Sequence, residues 1–355
     1  MNNLLTSSRL SALLSCPRKH YWRYEVALQS DSDSLALRFG SAWHAAMEAR
    51  WRGAGFEAAL AAAIPEAVDL DEQAVATLSG LLAGYFRRYQ DEQFIAQVHP
   101  EVEFHQSLSG SRTFDVAGKM DGLCVLHDGR LALKEDKTTS DSLAPDSDYW
   151  LRLRFNGQLM QYVLASRELG WDVATIIYDV VRKPAIEPRQ IPLLDPSGKK
   201  VVHDAGGQRV FKANGEPRES GDKEKGYALQ SRIETPEEFS QRLFADTQAR
   251  PEFYFARREV PILESDLEEF TEQRLTLSRM ILHCRNSQKR FDRPERAWPR
   301  NVSELSCRSC SYNSFCMQNL SVDLNNPPAG FKVGNFNPEL SNDQNTTTPT
   351  VANVG

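Results

Sequence analysis

No apolar run in the chain reaches the ~18 residues that a helical membrane span requires, so a spanning helix is excluded. The first twenty residues carry a short apolar patch but no basic leader and no small-residue cleavage site. They do not read as a signal peptide. Excess positive charge is also missing. The formal net charge is −6, which excludes a general polyanion-binding coat and confines any such site to a local patch. Cysteine is scarce, at six in 355 residues without a secretion signal. That excludes a disulfide framework, implies a reducing, cytoplasmic setting, and leaves metal binding or packing as the roles of the thiols. With 41% hydrophobic and 25% charged residues, the chain is an ordinary globular sequence, long enough for one large domain or two modest ones.

The most informative stretch runs from Ala117 to Ser140. Two apolar, β-rich runs flank the turn signal His127-Asp128-Gly129, which predicts a hairpin. With Asp128 at the turn centre, antiparallel pairing sets Leu123 opposite Leu133 and Asp121 opposite Glu135. Side chains alternate along a strand, so Leu123, Val125, Leu131 and Leu133 share a face with Asp121, Glu135 and Lys137, while Asp136 points the other way. Directly opposed like charges destabilise a bare hairpin. A divalent cation held by both carboxylates would offset them, since hard cations favour oxygen ligands. The alternative is a solvated pair of charges at a strand end.

Around this hairpin the periodicity predicts helices over residues 6–15, 40–52, 58–64, 74–89, 149–169, 235–249 and 265–283. It predicts strands over 101–108, 114–119 and 174–181. The order gives an α/β core. Thr235 and Glu238 form a capping-box pattern, as do Ser265 and Glu268. His44 and Glu48 share one helix face, as do Gln158 and Tyr162. A lone histidine is more often structural than a ligand. Arg18 to Tyr24 alternates basic and aromatic groups, compatible with phosphate contact and base stacking but more simply an amphipathic helix with its aromatics in the core. Glu103 falls in a predicted strand and reads as structural. Residues 182–232 hold 11 basic and 7 acidic residues among many Pro and Gly, the pattern of a long insertion with mobile segments. Arg279 to Arg300 carries 7 basic residues against 2 acidic ones, either a solvated helix face or a phosphate-binding rim. Residues 323–355 are Asn-, Pro- and Thr-rich and read as a disordered tail.

Cys307, Cys310 and Cys316 form a C-x2-C-x5-C array one thiolate short of a four-ligand site. Cys16 is the natural fourth, beside a helix end in a basic and aromatic context. Cys124 and Cys284 read as buried packing residues. Four thiolates suit either zinc or an iron–sulfur cluster. Here the fourth ligand lies 291 residues from the other three, so the metal would clasp the chain ends together.

Five separated motifs, in order, resemble the RecB-like branch of the PD-(D/E)XK nuclease superfamily. The likeness is to its iron–sulfur type, seen in the AddB nuclease domain and CRISPR-associated exonucleases. They are Ser8-x2-Ser11-x4-Cys16-Pro17-Arg18-x2-Tyr21; Phe39-Gly40-Ser41-x2-His44; Gly118-Lys119-Met120-Asp121; Glu135-Asp136-Lys137-Thr138; and Gln158-x3-Tyr162. Cys307, Cys310 and Cys316 complete them. The resemblance implies a restriction-endonuclease-like core, a mixed central sheet flanked by helices, over residues 1–322 as a single domain. The 182–232 insertion lies within it, and a [4Fe–4S] clasp (alternatively structural Zn²⁺) joins its N- and C-terminal segments.

The activity implied is Mg²⁺- or Mn²⁺-dependent hydrolysis of DNA, by an exonuclease on single strands or duplex ends. It would serve repair, recombination or phage DNA processing, with a helicase or recombination partner. His44, Asp121, Glu135 and the carbonyl of Asp136 would hold the metal. Lys137 would position water or stabilise charge, and Gln158 and Tyr162 would orient Lys137. Asp136 would contribute backbone only, so Asp136→Asn is expected to be tolerated. Two alternatives are a non-catalytic DNA-end-binding or adaptor protein of the same fold and a zinc-stapled DNA-binding protein of unrelated fold.

Overall fold

The β-branched and aliphatic runs flanking the Asp128 turn form the centre of the sheet. The structure is a computed structural model and describes residues 2–91 and 94–340. In chain order, the elements that frame the site are β1 (Leu4–Leu5), α1 (Ser7–Ser15), α2 (Leu35–Trp51), α3 (Glu72–Arg88), β2 (Ile95–Ser107), β3 (Asp115–Leu126), β4 (Leu131–Thr139), α4 (Gly157–Glu168), β5 (Thr175–Arg182), α5 (Pro236–Ala249), β6 (Phe255–Pro261) and α6 (Glu264–Ser287). The strands form one six-stranded mixed sheet. β3 pairs antiparallel with β2 and β4 and parallel with β1. β4 and β5 run parallel, and β6 closes the edge antiparallel to β5.

Helices cover both faces. Leu123, Leu133, Tyr178 and Val180 pack with Leu159, Tyr162 and Val163 of α4 and Phe270 of α6. On the other side Val181 and Phe255 pack with Phe39 and Trp43 of α2, Leu81 and Tyr85 of α3, and Leu243 of α5. β5 is buried along nearly its whole length, as its unbroken apolar run predicts for a strand covered on both faces. α3 and α5 cross closely at two glycines four residues apart. A Cβ on Gly80 would lie 2.9 Å from the Ser240 carbonyl oxygen, and one on Gly84 would overlap Thr247.

Several expectations change. The single helix expected over 149–169 is broken. Asn156 is extended, and its side chain accepts from the N–H groups of Gln158 and Leu159, starting α4 afresh. α6 begins at Glu264 with Leu263 before it, so Ser265 lies inside the helix and caps nothing. Thr235 and Glu238 do form a reciprocal capping box. Tyr21, Trp22 and Tyr24 are buried, which removes them from base stacking. The 182–232 insertion is a chain of short antiparallel ladders, Gln190–Pro192 with Ser231–Ile233 and Val202–His203 with Ala228–Leu229. Its polar residues build turns. Asp195 accepts from the N–H groups of Ser197 and Lys199, and Asp204 from those of Gly206 and Gln208, with Gly198 and Gly207 at positive φ.

The expected tail is also structured in its first half. Phe331–Val333 pairs antiparallel with Leu28–Ser30, because that short strand offers an open edge. Residues 341–355 lie outside the described residues. The two ends of the chain meet directly: Arg18 donates to the Trp298 carbonyl (2.9 Å), Asn301 to the Ser15 carbonyl (2.8 Å), and the Tyr312 hydroxyl to the Leu28 carbonyl (2.7 Å).

Candidate active site

The β3–β4 hairpin turns at Asp128-Gly129, with Gly129 at φ +85°, and pairs Val125 with Leu131, Cys124 with Ala132, Leu123 with Leu133 and Gly122 with Lys134. Asp121 and Glu135 would be the next pair in that register. There the ladder opens. Instead of a backbone carbonyl, the Asp136 N–H finds the Asp121 carboxylate, Oδ2 at 2.7 Å. β4 continues against β5 as far as Thr139, so the opening lies between two strands each held on its other side. Gly118 permits the approach of α4. A Cβ there would sit 2.7 Å from the Phe104 ring and 3.1 Å from that of Tyr162.

Four of the residues expected at the site meet at this opening. α2 brings His44 Nδ1 to 3.3 Å from Asp121 Oδ1. Lys137 Nζ is ion-paired with Glu135 Oε1, and Glu135 is fully buried. Glu135 Oε2 has no hydrogen-bond partner among the described residues. Gln158 Nε2 donates to the Tyr162 hydroxyl at 3.0 Å. Burial raises the Tyr162 phenol well above its ordinary value, and the Glu135 charge adds to that. Glu48 instead pairs with Arg52, one turn along α2. Glu103 is exposed on β2, in register with Lys119.

The two carboxylates are driven apart electrostatically. Burial works to raise Asp121, but His44, Lys137 and the Asp136 N–H hold it well below the usual carboxylate range. Burial and the Asp121 charge raise Glu135 to about 7, against the opposing pull of Lys137. Burial would lower both cations, yet Asp121 raises His44, and Glu135 with Asp121 raises Lys137. Two close carboxylates cannot both ionise freely, and the less well paired one holds its proton to higher pH.

A pH dependence follows. Glu135 is raised from 4.5 to about 7 in the folded chain, so between those values the folded state binds more protons than the unfolded one. Its contribution to stability is therefore complete below about 4.5 and falls as pH rises to about 7. Glu135→Gln should remove that slope and, without metal, unfold at higher denaturant than wild type at pH 8. Equal midpoints there would refute the uncompensated burial of this carboxylate. His44 loses its ion pair in the same direction at higher pH, so comparison with the Gln variant isolates Glu135.

The side chain of Asp136 leaves on the opposite face and enters a second network. Asp136 is ion-paired with Lys134, which is completely buried and lies over the Trp51 ring at 4.9 Å. Beside them Asp179 accepts from the Tyr85 hydroxyl (2.6 Å) and from Arg257 Nε (2.9 Å). Burial raises Asp136, while Lys134 opposes the shift. Asp136 is thus more than backbone, and the expected tolerance of Asp136→Asn does not survive this geometry. Sequence reasoning missed Lys134, Tyr85, Asp179 and Arg257. Only the shared parity of Lys134 and Asp136 signalled the pair.

Cys16, Cys307, Cys310 and Cys316 line one pocket with Trp22 and Tyr312, and all four are free thiols. Asn301 N–H approaches Cys16 Sγ at 3.5 Å and Arg300 Nε approaches Cys316 Sγ at 3.4 Å. Burial raises the Cys310 thiol. Cys124 and Cys284 are buried in the core, as expected. Among the described residues, no group of three or more His, Cys, Asp or Glu side chains is arranged to hold a metal ion. At the hairpin, Asp121 pairs with His44 and Glu135 with Lys137. The donor chemistry still fits a hard cation. Two carboxylates, one with a buried oxygen lacking a hydrogen bond, and an imidazole converge at one opening.

A mixed sheet flanked by helices carries an acidic pair and a lysine at a split hairpin. The chain belongs to the PD-(D/E)XK nuclease superfamily, whose family model matches residues 4–317. Members of that superfamily are nucleases that use divalent metals. No curated protein matches the chain. A solved structure titled "Crystal structure of SSO0001" aligns at 11% identity with a TM-score of 0.30, covering 90% of this chain and 89% of that one, a likeness too slight to carry an argument. No helix among the described residues is long and apolar enough to cross a membrane.

Proposed function

We propose that the protein is a divalent-metal-dependent deoxyribonuclease acting on single strands or duplex ends, in repair, recombination or phage DNA processing beside a helicase or recombination partner in the cytoplasm. The observation that carries this reading is the buried Glu135 carboxylate, one oxygen without a hydrogen bond, beside Asp121, His44 and Lys137 at the open end of the hairpin. His44, Asp121, Glu135 and the Asp136 carbonyl would hold Mg²⁺ or Mn²⁺, which when bound supplies Lewis acidity to the phosphate and acidity to a water. Lys137, released from Glu135 Oε1, would place its ammonium against the charge that develops on the phosphate oxygens. The Gln158–Tyr162 pair would restrict Lys137 from the side of α4. The Asp136 N–H fixes one oxygen of Asp121, leaving the other to His44 or a cation. Labelled single- and double-stranded DNA incubated with the protein and Mn²⁺ should be cut, and EDTA should stop the cutting. DNA that is bound but never cut would favour an end-binding adaptor instead.

The four thiols that line one pocket where the chain ends meet support a structural [4Fe–4S] cluster, with Zn²⁺ as the competing occupant. Cys310→Ser should lower folding yield and remove the brown colour of a cluster. A colourless, zinc-loaded wild-type protein purified without oxygen would overturn the iron–sulfur assignment.

A further inference from the structure

A cleft of about 580 Å³ opens at the β6 edge of the sheet, near the C-terminal ends of β4 and β5, and is lined by Arg88, Arg182, Arg257 and Arg258 against a single carboxylate, Glu252. One wall is Ser142 to Pro145, in the loop that leaves β4 just after Lys137. Open α/β sheets bind ligands at the carboxyl ends of their strands. Two of the arginines lie at the end of the sheet where the candidate site opens. Arg182 pairs in register with Thr139, two residues beyond Lys137 on β4, and its guanidinium reaches Phe253 at the rim of the sheet. Arg258 pairs with Tyr178, and Tyr178 with Glu135, in one row across three strands, with Tyr178 buried beneath Tyr149 and Trp150 between the two charged residues. At about 4.8 Å per strand, Arg258 starts roughly 10 Å from Glu135.

Both guanidiniums are held flat on aromatic rings, Arg182 over Phe253 at 4.2 Å and Arg258 over Trp150 at 4.0 Å. Stacking fixes the plane of a guanidinium and leaves its N–H edge free for phosphate. Among the described residues neither forms an ion pair, and Arg258 donates only to the Pro145 carbonyl, at 3.3 Å. Arg257, by contrast, is committed to Asp179 and Tyr85, and Arg88 pairs with Glu252. A cleft that keeps two oriented, unpaired cations beside the loop leaving the candidate site suits a polyanion.

We infer that Arg182 and Arg258 bind the phosphodiester backbone of a single nucleic-acid strand that continues from the phosphate at Glu135 and Lys137 past Thr139 and the Ser142–Pro145 loop to the β6 edge. This rests on the nuclease reading and extends it to a substrate held over several phosphates. The measurement is the salt dependence of affinity for a labelled single-stranded oligonucleotide, in EDTA so that nothing is cut. Compared are the wild-type chain, Arg182→Ala/Arg258→Ala and Arg182→Lys/Arg258→Lys. Each lost phosphate contact lowers the slope of log affinity against log salt by about 0.7 on a single strand. The double alanine variant should therefore flatten it by about 1.4, so that raising salt from about 50 to 200 mM weakens its binding about 7-fold less than it weakens wild type. The double lysine variant should keep most of the wild-type slope, which separates lost charge from lost folding. An alanine variant with the wild-type slope would overturn the inference, as would poly-glutamate competing as well as DNA of equal charge. Absence of both binding and cleavage in the wild type would instead strike the nuclease reading itself.

Discussion

Asp136→Asn should destabilise the protein by about 3–5 kcal/mol, read as a lower midpoint in denaturant unfolding, because it strands the ammonium of Lys134 in the interior. Lys134 is completely buried and Asp136 is its ion-pair partner. The asparagine oxygen can still accept a hydrogen bond, but the compensating charge is gone, and the charge left nearby, Asp179, is shared with Arg257 and Tyr85 through its Oδ2. Lys134→Met combined with Asp136→Asn removes both charges and should recover much of the loss, since a buried pair exchanged for uncharged groups is often neutral. A single variant as stable as wild type would show that this ion pair is not what holds β4 to the helices behind it. The consequence reaches the site, because the N–H of the same residue fixes Asp121 on the opposite side.

Lys137→Ala should lower the rate of DNA cleavage by about 10²–10³-fold, the usual cost of losing one preorganised group at a developing negative charge. Binding to DNA in EDTA should persist, since Lys137 is only one cation beside the arginines of the β6 cleft. The substitution also deprives Glu135 of its ion-pair partner, and the carboxyl should then keep its proton to still higher pH. Cleavage remaining in the variant should consequently need more alkaline conditions than wild type. A variant cutting at the wild-type rate would remove Lys137 from the chemistry. Loss of DNA binding together with cleavage would make it a positioning group for the substrate instead.

Much of the centre of the fold was legible in residue order. The Asp128-Gly129 turn between two apolar runs set the β3–β4 register, and alternation along the strand separated Glu135 and Lys137 from Asp136. The buried strand β5 followed from an unbroken apolar run, and the Thr235–Glu238 box marked the start of α5. These features depend on contacts a few residues apart, where local geometry decides the outcome. Asn156 shows the limit. Helical periodicity continued past it, but its side chain satisfied the first N–H groups of a new helix and broke the old one.

The sequence by itself determined the hairpin, the face on which its acids and lysine lie, and the kinship of the motifs. Only the tertiary structure decided that Asp121 would accept the Asp136 N–H, that His44 would reach it from α2, and that Lys134 and Asp136 would be sealed behind the site with Asp179 and Arg257 nearby. It also decided that Arg182 and Arg258 would line one cleft beside the loop that leaves β4 after Lys137. These partners lie tens to more than a hundred residues apart, and no periodicity links them. Their meeting is set by which strands pair and which helices cover them, and burial then fixes how much each charge matters.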